Sequence, residues 1–106
     1  MTHDTVLFIV RPGPRPPFTS VAEHLWGSGV DFDSDGNSSY LGDTSWTELT
    51  IQLRPEYEQR VDIDPVSDDP LVLKVSSSSE ELALRAARYL SEHCAAPAVR
   101  EWRPAN

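Results

Sequence analysis

WTELTIQLRPEYEQRVDIDPVSDDPLVLKV, residues 46–75, decides the fold, because apolar and polar side chains alternate through three successive runs separated by turn-forming residues. Thr47, Leu49, Ile51 and Leu53 alternate with Glu48, Thr50, Gln52 and Arg54 in the first run. Val61 and Ile63 alternate with Arg60, Asp62 and Asp64 in the second, and Leu71, Leu73 and Val75 with Val72 and Lys74 in the third. Side chains along a strand point to opposite faces in turn, so each run predicts a strand with one dry and one wet side. PEYEQ and SDDP are short and rich in turn formers, and the three strands therefore form an antiparallel meander.

Upstream, TVLFIVR (5–11) is a short continuous apolar run, as expected of a strand covered on both faces. PGPRPP stops it, because proline withholds the amide donors that a ladder or helix interior needs. In SVAEHLWG, Ser20 and Glu23 have capping-box spacing and Gly27 is placed to end a helix of about two turns. Downstream, SSSSEELALRAARYLSEHCAAP predicts a longer helix. Ser78 and Glu81 supply a capping box, Glu80 and Glu81 suit the positive end of the helix dipole, and Pro97 stops the helix. Leu82, Ala86, Tyr89, Leu90 and Cys94 form one stripe, with Arg85, Arg88 and Glu92 on the other side. The expected fold is α+β. An antiparallel sheet of four to five strands carries the C-terminal helix on one face, with a short N-terminal helix. Residues 1–106 form a single domain, and 96–106 a tail that Val99 and Trp102 pin to the body or that frays.

Charge is distributed unevenly. Of 17 acids, 11 fall in residues 31–69 against only Arg54 and Arg60, whereas the remainder of the chain carries 7 bases and 6 acids. The whole net charge of -8 therefore resides in one continuous third of the protein. Such a field opposes binding to nucleic acid through phosphates and favours a cationic partner; ordinary acidic solubility is the plainer alternative. No apolar run approaches the length of a membrane span, and MTHDTVLFIVRP lacks the basic and apolar regions of a signal peptide. With Cys94 the lone cysteine, the expected location is the cytoplasm.

DFDSDG (31–36) places Asp31, Asp33, Asp35 and Gly36 at positions 1, 3, 5 and 6 of a calcium loop. Position 12 is Gly42, however, and the acid arrives one residue late at Asp43. The alternatives are a calcium-binding or adaptor module using Asp31, Asp33 and Asp35, or an Asp/Gly turn leading out of a strand. No metal or other cofactor is assigned. For catalysis, His3 falls in a mobile end, His24 on the short helix and His93 on the long one, without metal-ligand spacing. Cys94 adjoins His93, but neighbours on a helix point about 100° apart and do not pair as nucleophile and base. The chain is read as a non-enzyme.

Glu48, Thr50, Gln52, Asp62 and Asp64 point away from the helix by parity, and Trp46 shares that outward side. Trp46 has a second reading, as a cap on the core at the strand end. Tyr40 and Trp46 flank the acidic segment as candidate aromatic anchors. The expected partner surface is thus Asp31, Asp33, Asp35, Tyr40, Trp46, Glu48, Asp62 and Asp64. With its small size, one-sided acidic sheet, aromatic residues and lack of catalytic apparatus, the chain resembles the small acidic immunity (antitoxin) proteins that bacteria co-express with a toxin. That resemblance is one of type, without a diagnostic motif. It implies a protein that binds and neutralises a cognate, basic toxin domain, while the charge distribution and the short apolar runs point to neither nucleic acid nor membrane as partner.

Overall fold

The three alternating runs become β3 (Leu49–Leu53), β4 (Arg60–Asp68) and β5 (Leu71–Ser77), the centre of a six-stranded antiparallel sheet. The computed structural model describes residues 4–103, and His3 lies outside the described residues. The apolar run near the N-terminus is β1 (Thr5–Val10), which pairs with β5 from Thr5 opposite Ser77 to Val10 opposite Val72. Two further strands enlarge the expected sheet. DFDSDG contributes β2 (Phe32–Gly36) at one edge, and the tail contributes β6 (Ala98–Val99) at the other, giving the order β2-β3-β4-β5-β1-β6. Within β4 the register shifts between Pro65 and Ser67, leaving Val66 as the extra residue of a bulge directly after a proline that has no amide donor to offer the ladder.

Both helices, α1 (Phe18–Trp26) and α2 (Glu80–His93), cover the same face of the sheet. Leu7, Ile9, Leu49, Ile51, Val61, Ile63, Leu73 and Val75 supply the sheet side of the core. The helices supply Val21, Ala22, Leu25, Leu82, Ala83, Ala86, Ala87 and Leu90, with Cys94 and Ala96 following α2. Alternation in the strands and the 3.6-residue period in the helices thus meet in one apolar layer. Tyr89 sits at the rim of this layer, where it stacks on His24 at 4.3 Å between ring centroids.

Two expected caps are corrected. Helix α2 is capped by Ser79, whose Oγ accepts from the Leu82 amide at 3.3 Å, so the cap falls one residue after Ser78 and Glu81 is not its capping-box partner. Helix α1 begins at Phe18 after Pro17, with no side-chain cap, and the Ser20 amide donates to the Pro17 carbonyl. Ser20 is therefore inside the helix, although Gly27 ends it as expected, its amide returning to the Glu23 carbonyl. The tail is fastened over part of its length: β6 pairs through Ala98 and Val99, and the Trp102 ring lies 6.5 Å from that of Phe8.

Candidate functional site

The face opposite the helices is open and changes character from one edge to the other. Register sets its rows. Asp35 lies opposite Thr50, Thr50 opposite Asp62, and Asp62 opposite Ser76. Beside that row Asp33 faces Gln52 and Gln52 faces Arg60, while Asp64 faces Lys74 and Lys74 faces Phe8. Acids therefore concentrate on β2 and β4, with Thr50 and Gln52 of β3 between them. Lys74 marks the border, and Phe8 with Trp102 makes the opposite end aromatic. Val72, which shares this side of β5, is fully buried although it stands outside the helix-side core.

Not every carboxylate on this face is free. Arg54 pairs with Asp33 and reaches Asp31 at 3.7 Å, and its guanidinium holds the Asp33 carboxyl below the usual carboxylate range. Arg60 contacts Asp62 at 3.0 Å, and Thr50 Oγ1 donates to the same carboxylate at 2.7 Å. Among the described residues, Asp35, Glu48 and Asp64 enter no ion pair. The field of this face is consequently weaker than the raw count of acids implies; Asp35 and Glu48 are its least compensated carboxylates, since Asp64 stands opposite Lys74.

The connection from Asn37 to Glu48 is held by two side chains. Asn37 Oδ1 accepts from the Thr47 and Glu48 amides at 2.9 and 3.0 Å, while its Nδ2 donates to Thr47 Oγ1. Asp43, only 3% exposed, accepts from the Ser45 hydroxyl at 2.6 Å and from the Ser45 and Ser39 amides at 2.8 Å. Those bonds to the charged form, the Ser45 hydroxyl foremost, lower the Asp43 pKa. The fold thereby presents Tyr40 and Leu41 at the surface, 66% and 72% exposed. Tyr57, in the turn between β3 and β4, is also exposed. Leu41 and Tyr57 carry no signal in the sequence beyond their place in turns beside an acidic segment.

Trp46 requires a correction. It is 1% exposed and belongs to the core, so its reading as a cap on the core holds and it forms no part of an accessible surface. The parity that pointed it outward assumes an extended chain from residue 46, whereas β3 begins at Leu49 and the Asn37 side chain occupies the Thr47 and Glu48 amides. Asp33, Asp35, Asp62 and Asp64 do share the open face, with Asp31 and Glu48 at its margin and Tyr40 on the adjoining loop.

The calcium-loop geometry also requires a correction. Asp31, Asp33 and Asp35 follow an extended chain, and two of them face Arg54. Gly36 makes no sharp turn: it is a strand residue, and a Cβ there would lie 2.2 Å from the Glu48 carbonyl oxygen. Among the described residues, no three His, Cys, Asp or Glu side chains converge as a metal site. Cys94 is buried, and burial raises its thiol pKa. His24 and His93 flank the Tyr89 ring instead of meeting a nucleophile. No described helix is long and apolar enough to cross a membrane.

No protein-family model, curated protein or solved structure matches this chain.

Proposed function

We propose that this chain is an immunity-type binding protein that neutralises a cationic toxin domain by covering it with the open face of the sheet. The observation that carries the reading is the collection of Asp33, Asp35, Asp62 and Asp64 on the side of the sheet that neither helix covers. A charge pattern held on paired strands keeps its spacing, so it can match a basic surface without first ordering a flexible segment. Asp35 and Glu48, which enter no ion pair among the described residues, steer the approach with Asp64 behind them, and Tyr40 and Leu41 provide apolar area on the adjoining loop. The chain itself performs no chemistry in this reading; occupancy of the toxin's basic active-site surface is sufficient.

The test is co-expression with the product of the gene adjacent to this chain's own, which this reading requires to be toxic. Wild-type chain should restore growth, and Asp35→Lys/Glu48→Lys should weaken protection while leaving the melting temperature within a few degrees of wild type. A neighbouring product that is not toxic, or toxicity that the folded wild-type chain leaves untouched, refutes the assignment.

A further inference from the structure

The edge strand β2 has one side paired and one side free. The Arg54 amide donates to the Asp31 carbonyl and the Asn37 amide to the Glu48 carbonyl. Combined with the register of Asp33 against Gln52 and Asp35 against Thr50, these bonds turn the backbone groups of the odd-numbered residues toward β3. The N–H and C=O groups of Phe32, Ser34 and Gly36 therefore point away from the sheet. Among the described residues, no hydrogen bond reaches them, and Ser34 and Gly36 are exposed. The two rows of side chains along this edge differ. Asp33 and Asp35 stand on the open face by register, whereas Ser34 and Gly36, with Asp35 between them, join Phe18, Ser38 and Leu49 around a shallow depression at the edge.

We infer that β2 accepts an extended cationic segment of a partner by strand addition, with a basic side chain beside Asp35, which has no ion-pair partner among the described residues, and small side chains over the Phe18 depression. Backbone groups supply the attachment in such a complex, and the alternating rows supply the selectivity. Charge chooses the occupant. A second copy paired antiparallel about Ser34 would set Asp33 against Asp35 twice, each time two carboxylates beside a single Arg54 that already serves Asp31 and Asp33, and such an excess of like charge destabilises a pair of strands. A strand carrying Lys or Arg at alternate positions reverses the sign of those contacts. The partner's charge rests on the acidic-face reading above, but the mode of attachment does not require the partner to be a toxin.

A capped peptide of alternating Lys and Val is the probe, read by amide chemical shifts and hydrogen exchange on the full chain. Expected is saturable binding that weakens with salt and slows exchange at Ser34 and Gly36 by roughly tenfold, with an alternating Glu and Val peptide inert. Two N-methyl groups on the edge-facing amides of the peptide should weaken binding by roughly tenfold or more. Ser34→Pro removes an outward N–H without touching the ladder to β3, and it should act likewise at unchanged fold. Equal binding of the N-methylated peptide, or shifts confined to other strands or helices, overturns strand addition. With a toxin in hand the two readings separate. Protection abolished by Asp35→Lys but indifferent to Ser34→Pro removes strand addition and keeps the immunity function, whereas peptide capture at β2 by a chain that neutralises no toxin does the reverse.

Discussion

The indole N–H of Trp46 donates to the carbonyl of Pro16 at 2.7 Å, joining the approach to β3 to a proline-rich loop 30 residues earlier. Arg15 completes the joint: its Nε donates to the Trp46 carbonyl at 2.7 Å and its backbone amide to the Thr44 carbonyl at 2.8 Å. A segment that can form neither helix nor ladder is thereby fixed through side chains, and its buried carbonyl is satisfied.

Trp46→Ala should cost about 3–5 kcal/mol in urea unfolding, as for a large aromatic side chain lost from a core. Trp46→Phe should cost about 1–3 kcal/mol, because most apolar area is kept while the Pro16 carbonyl is left unpaired in the interior. Substitutions that leave the midpoint unchanged would return Trp46 to the surface.

Helix α2 offers a paired comparison. Leu90 is fully buried and Arg88 exposed. Leu90→Ala should therefore cost about 2–5 kcal/mol. Arg88→Ala should cost under about 0.5 kcal/mol. Comparable losses at the two positions would mean that the helix presents a different face to the sheet.

The alternating runs were legible because Leu49, Ile51, Val61, Ile63, Leu73 and Val75 obey a period of two that only a half-buried strand requires. Strand β2 was not, since Asp, Ser and Gly are poor strand formers and FDSDG gains its pairing from β3 and its glycine from a close backbone approach, both non-local causes. The two-residue β6 is likewise a product of contact with β1. Of the site, Asp62 and Asp64 could be placed by parity within a strand. Trp46 could not, because parity fails where side-chain hydrogen bonds replace the ladder. The pairing of Arg54 with Asp33 across 21 residues was also beyond local pattern.

Asp43 should give the fold an acid-sensitive loop. Hydrogen bonds from the Ser45 hydroxyl and the Ser39 and Ser45 amides hold its folded pKa below the ordinary aspartate value, so the unfolded chain binds the proton more readily. The stabilisation is present above the unfolded pKa and is lost as pH falls through the folded one. The melting temperature should therefore drop below about pH 4, and Asp43→Asn should flatten that drop while lowering the neutral-pH value. A wild-type profile that Asp43→Asn reproduces at every pH would remove Asp43 as its origin. Asp33, lowered through Arg54, contributes with the same sign, so Asp33→Asn is the necessary control.

Charge reversal tests the acidic face most cleanly at residues that serve no internal partner. Asp62 is a poor choice, because Thr50 and Arg60 both bind its carboxylate and a lysine there would disturb the sheet as well as the field. Asp64 lies opposite Lys74, where reversal would set like charges face to face. Asp35 and Glu48 are exposed and enter no ion pair among the described residues. Asp35→Lys/Glu48→Lys should slow association with a cationic toxin by about tenfold or more at low salt, with the difference shrinking as salt rises past the point where the Debye length is about 10 Å. Dissociation should change less, since steering acts before contact. Tyr40→Ala/Leu41→Ala should show the opposite pattern, faster dissociation at a nearly constant on-rate, because apolar anchors act after contact. Stopped-flow association and dissociation at several salt concentrations separate the two effects, and rates indifferent to salt would remove electrostatic steering from the mechanism.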